Sequence, residues 1–249
     1  MTIHPNLHAA FSQGHALKII SGLNNFDAAN VLAVAKAAQQ GGATFVDIAA
    51  DADLVRQVSE QISLPICVSA IDPEAFLAPV AAGAALIEIG NFDAFYAQGL
   101  TFSAKDVLNL TQQTRELLPH ITLSVTVPHT LPLNEQVQLA ENLAVIGADI
   151  IQTEGGTSSQ PNHPGSVGLI EKATPTLAAA HSISRAVSIP VLCASGISDV
   201  TAPMAIAAGA AGVGVGSAVN KLNNEIAMIA VVRSLREALT RVTRSAEKV

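Results

Sequence analysis

Four times in this chain a Gly-Ala pair precedes a short apolar run, and five residues after each glycine stands a position of chemical interest. The copies are Gly42-Ala43-Thr44-Phe45-Val46-Asp47, Gly83-Ala84-Ala85-Leu86-Ile87-Glu88, Gly147-Ala148-Asp149-Ile150-Ile151-Gln152 and Gly209-Ala210-Ala211-Gly212-Val213-Gly214. A helix that stops and hands over to a buried parallel strand favours glycine past its last turn, alanine for close packing, then apolar and β-branched residues. The same join recurring along the chain predicts an α/β fold, a closed (β/α)8 TIM barrel. An open doubly wound sheet needs no such four-fold return.

Size agrees with that expectation. The 249 residues are close to the roughly 250 of one such barrel, and no linker divides them. A single domain over 1–249 is expected, with 1–13 as an N-terminal extension and 242–249 as a frayed tail. Hydrophobic residues make up 49% of the chain and charged residues 13%, which supplies one large core and excludes a disordered or coiled-coil protein. Thirteen basic against twenty acidic residues give a net charge of −7, against a nucleic-acid or anionic-membrane partner. The Ala-rich stretch 202–219 is broken by glycines and Pro203, and the start at His4-Pro5-Asn6 has no charged-then-apolar signal pattern. Cys67 and Cys193 sit inside apolar runs and read as small hydrophobes, so a soluble protein of a reducing compartment is expected.

Period and punctuation predict strands at 16–21, 45–48, 65–69, 86–89, 122–127, 150–153, 190–194 and 212–215. Helices are predicted at 27–40, 53–62, from Asp72-Pro73-Glu74 onward, and at 103–118, 133–146, 175–187, 199–208 and 223–241. Two long loops remain, 91–102 and the glycine-rich 154–172.

Reactive residues of such barrels lie at the C-terminal ends of strands and in the loops that follow. The repeat aligns Asp47, Glu88, Gln152 and Gly214 on strands two, four, six and eight, which in an inward register would share one interior layer. A carboxylate there needs a partner, and Lys18 is the natural one. Strand periods this short do not fix whether Lys18 and Asp47 point inward, and a structural polar plug is the alternative to catalysis. Two turns, Ala194-Ser195-Gly196-Ile197 and Gly214-Val215-Gly216-Ser217, follow strands seven and eight and read as a phosphate cup. Its candidates are Ser195, Gly196, Gly214, Gly216 and Ser217, with backbone N–H groups as the donors and no Lys or Arg in either loop. Glu154, with Gly155, Gly156 and Thr157, opens the long loop over the mouth. Glu154 and His129 are candidate acid/base groups from that side, with solvated-loop and structural roles as alternatives. No metal is expected, since no cluster has metal-ligand spacing, and no Ser-His-Asp set is seen.

Five segments resemble one family: Phe45-Val46-Asp47-Ile48-Ala49, Ile87-Glu88-Ile89-Gly90-Asn91-Phe92-Asp93, Ser124-Val125-Thr126-Val127-Pro128-His129-Thr130, Ile151-Gln152-Thr153-Glu154-Gly155-Gly156-Thr157 and Ala194-Ser195-Gly196. Over about 14–240 the chain resembles the hypothetical chloroplast reading frame 23 family of cyanobacteria and red-algal and related plastids. That likeness implies a phosphate-binding barrel in cyanobacterial cytosol or plastid stroma, and no particular reaction. Leu86-Ile87-Glu88-Ile89-Gly90 is also similar to the strand carrying the catalytic glutamate of tryptophan synthase α subunits, which implies an acid/base role for Glu88. Here that segment is on strand four, not two. A thiazole-synthase-like reading would instead make Lys18 a Schiff base.

The expectation is an enzyme of lyase, isomerase or synthase type on a small phosphorylated metabolite, using Lys18, Asp47, Glu88, His129 and Glu154. The alternative is a sensor barrel binding such a metabolite or flavin mononucleotide. The apolar run 225–232 and the bare 177–180 predict a homodimer or larger oligomer through that side of the helical ring.

Overall fold

The computed structural model describes residues 5–156 and 159–246. Eight parallel strands close into a barrel in sequence order. They are β1 (Ala16–Ile20), β2 (Phe45–Ala49), β3 (Ile66–Ala70), β4 (Leu86–Ile89), β5 (Thr122–Thr126), β6 (Ile150–Gln152), β7 (Val191–Ala194) and β8 (Gly212–Val215). The helices are α1 (Pro5–Ser12), α2 (Ala28–Gly41), α3 (Ala52–Ser59), α4 (Leu77–Ala81), α5 (Asp93–Tyr96) and α6 (Ala104–Leu117), then α7 (Leu133–Val145), α8 (Gly165–Ile183), α9 (Ala202–Ala207), α10 (Ser217–Asn220) and α11 (Glu225–Ala246). A 3₁₀ turn, Pro73–Phe76, capped by Asp72, leads into α4. The expected (β/α)8 barrel is the observed fold.

The four Gly-Ala pairs make one and the same join. Gly42, Gly83, Gly147 and Gly209 all take left-handed backbone, with φ of +85, +111, +101 and +105°. Each glycine N–H donates to the carbonyl three residues back, and each following alanine N–H to the carbonyl five back, as in Ala43 to Ala38 and Ala210 to Ala205. This is the Schellman closure, which satisfies last-turn carbonyls that would otherwise be orphaned. The alanines are buried at 4–7% exposure, so the chain enters each strand tight against the helix it has left.

Strand alternation then divides the interior. Leu17, Ile19, Val46, Ile48, Val68, Ile87, Val125 and Val213 point outward into the layer shared with the helices. Residues of the opposite parity at or next to the strands' N-terminal ends, Ala16, Phe45, Cys67, Leu86, Ile150 and Leu192, fill the bottom of the barrel. Helix α1, inside the segment read as an extension, closes this layer with Leu7 and Phe11, and the Phe11 and Phe45 rings lie 6.2 Å apart. Cys67 and Cys193 are free and buried, and burial pushes both thiols up, Cys193 to about 11.

Four sequence expectations are corrected. Helix α8 starts at Gly165, ten residues before the predicted start at Pro175, so the long loop spans only 153–164. Pro175 lies inside α8 and offers no N–H to the Glu171 carbonyl; Ser159 Oγ donates to that carbonyl at 3.1 Å instead. The loop at 91–102 contains the helical turn α5. The closing helix runs to Ala246, past the predicted end at Arg241. The stretches 177–180 and 225–232, expected to share one side of the helical ring, have α9 between them, since it packs against both α8 and α11.

Candidate active site

The inward-facing layer above the apolar bottom is polar. Lys18 Nζ from β1 lies 2.7 Å from Glu88 Oε2, 3.2 Å from Asp47 Oδ2 and 3.0 Å from Gln152 Oε1. The aligned repeat positions therefore do meet, and Lys18 occupies the space between them. Gly214 completes the layer: a Cβ there would stand 3.4 Å from Gln152 Oε1 and 2.8 Å from the Ala194 Cβ. Hydroxyls finish the hydrogen bonding. Ser124 Oγ donates to Glu88 Oε2 at 2.7 Å, Ser69 Oγ to Asp47 Oδ1 at 2.6 Å, and Gln152 Nε2 to Glu88 Oε1 at 2.7 Å.

Lys18, Asp47 and Glu88 are all fully buried. Burial works against the Lys18 charge, but Asp47 and Glu88 outweigh it and raise the pKa, so the side chain is an ammonium. Burial likewise raises the Glu88 pKa, opposed by Lys18 and reinforced by Asp47. An ammonium held by two carboxylates is a poor nucleophile, which disfavours the imine route.

Above this floor opens a cavity of about 360 Å³ at the C-terminal ends of β6, β7 and β8. Ser195, Gly196, Gly214, Gly216 and Ser217 all line it, with Gln152 and Asn91 below and Asp93 and Glu154 on one wall. Lys172 from α8 and Lys221 after α10 line it too. Neither lysine lies in the two turns, 194–197 and 214–217, that form the expected cup. Ser195 (φ +73°) and Asn91 (φ +59°) are the two non-glycine residues with positive φ among the described residues, and both border this cavity. Such strain concentrates where a site holds its backbone in a required shape. The Gly156 backbone packs so closely that a Cβ would stand 2.6 Å from the Gly196 backbone.

The third group comes from the ends of β4, β5 and β6. His129 Nδ1 lies 3.0 Å from Glu154 Oε1 and 3.5 Å from Asp93 Oδ1. Tyr96 Oη and the His129 backbone N–H also donate to Glu154 Oε1, and the Asp93 N–H donates to Oε2. Ser195 Oγ donates to Asp93 Oδ2 at 2.9 Å, tying this group to the glycine-rich loops. Burial raises the Glu154 pKa, opposed by the His129 hydrogen bond, and that same bond raises His129 against burial. Although the sequence shows no metal-ligand spacing, in space one ligand atom from each of Asp93, His129 and Glu154 lies within 4.8 Å of the others. The three donors already on Glu154 Oε1 fit a hydrogen-bonded anchor rather than a metal ligand.

Of the sequence-predicted residues, Glu154, Gln152 and the five cup residues reach the cavity, while Lys18, Asp47 and Glu88 lie beneath it. His129 stands behind Glu154, the Gly155 turn packs on the His129 ring, and Thr157 falls outside the described residues. Asp93, Asn91, Tyr96, Lys172 and Lys221 were missed. Asn91 and Asp93 stand directly after strand four, a position that could have marked them. The lysines had no local signal.

A family model described as "Protein of unknown function (DUF561)" matches residues 3–245. A protein named "Uncharacterized protein ycf23" from Cyanophora paradoxa is 48% identical over 238 residues, covering 94% of this chain and 95% of the relative. Its namesake from Pyropia yezoensis is 39% identical over 239 residues, covering 96% and 88%. Among solved structures, (S)-3-O-geranylgeranylglyceryl phosphate synthase from Thermoplasma acidophilum, in complex with its substrate sn-glycerol-1-phosphate, has a TM-score of 0.64 at 14% identity, over 97% of this chain and 100% of that one. A 3-hexulose-6-phosphate synthase has 0.63 at 14%, over 90% and 99%. Likeness at that identity speaks to the fold alone. No described helix is long and apolar enough to cross a membrane.

Proposed function

The chain belongs to the DUF561 family, whose matching members here carry the name ycf23, and from that premise we propose that it is an enzyme acting on a small phosphorylated metabolite. One observation carries the reading: a single 360 Å³ cavity joins a rim of glycines, serines and two lysines to a buried carboxyl group of raised pKa, Glu154. The rim suits a phosphate, because close-approaching glycine backbone offers N–H donors and Lys172 and Lys221 supply charge. Anchoring the inert phosphate orients the carbon skeleton toward Gln152, Asn91 and Glu154, which lowers the entropic part of the barrier. The structural neighbours, themselves synthases of phosphorylated compounds, support the same class.

In this reading Glu154 moves the proton. His129 and Tyr96 hold its carboxyl in place, and burial keeps its pKa above the ordinary carboxylate value, toward that of a working acid/base. Lys18, Asp47 and Glu88 act from below: Lys18 donates to one end of the Gln152 amide and Glu88 accepts from the other, so the amide presents a fixed face to the cavity. The chemistry is acid/base of lyase, isomerase or synthase type, in the cyanobacterial cytosol or plastid stroma. The test is turnover of a phosphorylated metabolite found by native mass spectrometry against cell extract. Glu154→Gln should cut turnover by about 10²–10⁴-fold while binding changes little. Unchanged turnover would remove Glu154 from the role.

The rival reading, a non-catalytic sensor of the same ligand, has one observation in its favour: the Lys18 cluster is fully buried and hydrogen-bonded, as a structural plug would be. A ligand that binds the purified protein stoichiometrically and is recovered unchanged in every condition tried would favour it.

A further inference from the structure

A second cavity opens on the same barrel mouth, on the side away from the glycine-rich loops. It has a volume of about 210 Å³ and lies over the C-terminal ends of β1 to β3. Its walls are mainly apolar: Leu23, Phe26, Ala50, Ala70, Ile71 and Phe95. Asn24, Ser69 and Asp72 supply its polar edge. Phe26 is 61% exposed, in a chain with only seven phenylalanines and one tyrosine. Phe26 does not stand alone: with Leu23, Ile71 and Phe95 it forms one contiguous apolar lining, the kind of exposed apolar surface that serves as a ligand-binding groove.

The two cavities adjoin at Asn91 and Ser69. Asn91 lines the glycine-rich one, and its Nδ2 donates at 3.1 Å to Oγ of Ser69, which lines the apolar one. Nδ2 also reaches Asp47 Oδ2 at 3.4 Å, so the junction rests on the buried polar floor. The short turn α5 borders both, with Asp93 on the glycine-rich side and Phe95 on the apolar side. The glycine-rich cavity and the apolar groove thus adjoin at Asn91 and α5.

We infer that the ligand is amphiphilic: a phosphate monoester whose far end carries an apolar group, the phosphate held at β6–β8 and the apolar group in the groove at β1–β3. This rests on the phosphate reading above and narrows its substrate class. A groove of this volume takes one aromatic ring or a short branched chain, since a cavity of about 150 Å³ already accepts benzene. Asn91 would then contact the middle of the ligand and set which connecting groups pass.

The experiment is calorimetric titration of the full chain with methyl phosphate and with 6-phenylhexyl phosphate, which share a phosphomonoester head. The longer ester should bind at least about tenfold more tightly, as burial of its apolar end requires. Phe26→Asp should remove most of that advantage and leave methyl phosphate affinity unchanged; the exposure of Phe26 keeps this variant folded. If methyl phosphate binds and the longer ester is no tighter, the amphiphile is wrong and the phosphate site stands. If neither ester binds, the phosphate reading itself fails. An advantage that survives Phe26→Asp places the apolar end elsewhere and overturns the inference. A change of sedimentation mass in Phe26→Asp gives the groove to a second copy of the chain, and also overturns it.

Discussion

The Lys18 ammonium lies 2.7 Å from the Glu88 carboxylate at the centre of the barrel, and neither side chain touches solvent. Two carboxylates face this one cation, so removing it leaves buried negative charge without a partner. Lys18→Met should destabilise the fold by about 3–5 kcal/mol in urea denaturation. Neutralising the carboxylates as well, in Lys18→Met/Asp47→Asn/Glu88→Gln, should recover much of the loss. A Lys18→Met protein as stable as the parent would show that the cluster is not ionised as described.

The His129–Glu154 pair gives a pH signature. The His129 pKa is raised in the folded state, so its protonation adds stability that is fully present below the unfolded value of 6.5 and is lost as pH rises through the folded value. The difference in Tm between the parent and His129→Asn should therefore be larger at about pH 5.5 than at about pH 8.5. A difference that does not change, or that grows with pH, would contradict the ion pair.

Gly156→Ala tests the packing of the cavity wall. Its Cβ would stand 2.6 Å from the Gly196 backbone, which has no side-chain freedom to yield. We expect phosphate-ester affinity to fall by more than about tenfold, with a stability loss of about 1–3 kcal/mol from overpacking. Lys221→Ala, an exposed change at the same cavity, should weaken binding with a stability change within about 0.5 kcal/mol. Equal affinities for Gly156→Ala and the parent would remove Gly196 from the cup.

Phe11 closes the barrel bottom against Phe45 and is 5% exposed. Phe11→Ala should cost about 3–5 kcal/mol in chemical denaturation. Ligand affinity at the opposite end should not change. A loss below about 1 kcal/mol would show that α1 is not part of the core.

Assembly is testable through α11. Met228, Val232, Leu235 and Leu239 face the barrel, while Ile226 is 78% exposed at the outer end of the same helix. We expect a homodimer that uses this surface, and Ile226→Glu should shift the sedimenting mass toward that of one chain. A parent protein sedimenting at its chain mass of 25.5 kDa would overturn the expectation.

Much of the fold was legible in the sequence because its signals are local. The Schellman glycines, the Asp27, Ser103 and Asp72 caps and the repeat that placed Asp47, Glu88 and Gln152 in one layer are each written within a few residues. The inward turn of Lys18 was not legible, because strands of four or five residues are buried on both faces and give no alternation to read. Helix α8 was misplaced for a related reason: Pro175 breaks a helix by local rule, but Ser159, sixteen residues away, takes the carbonyl it leaves unpaired. The cavity itself belongs to tertiary structure alone. Asp93, His129 and Glu154 stand on three successive strand ends, and Lys172 and Lys221 reach the rim from elements outside the loops they serve. Capping and periodicity act between chain neighbours, whereas a site at a barrel mouth is assembled from strand ends that only ring closure brings together.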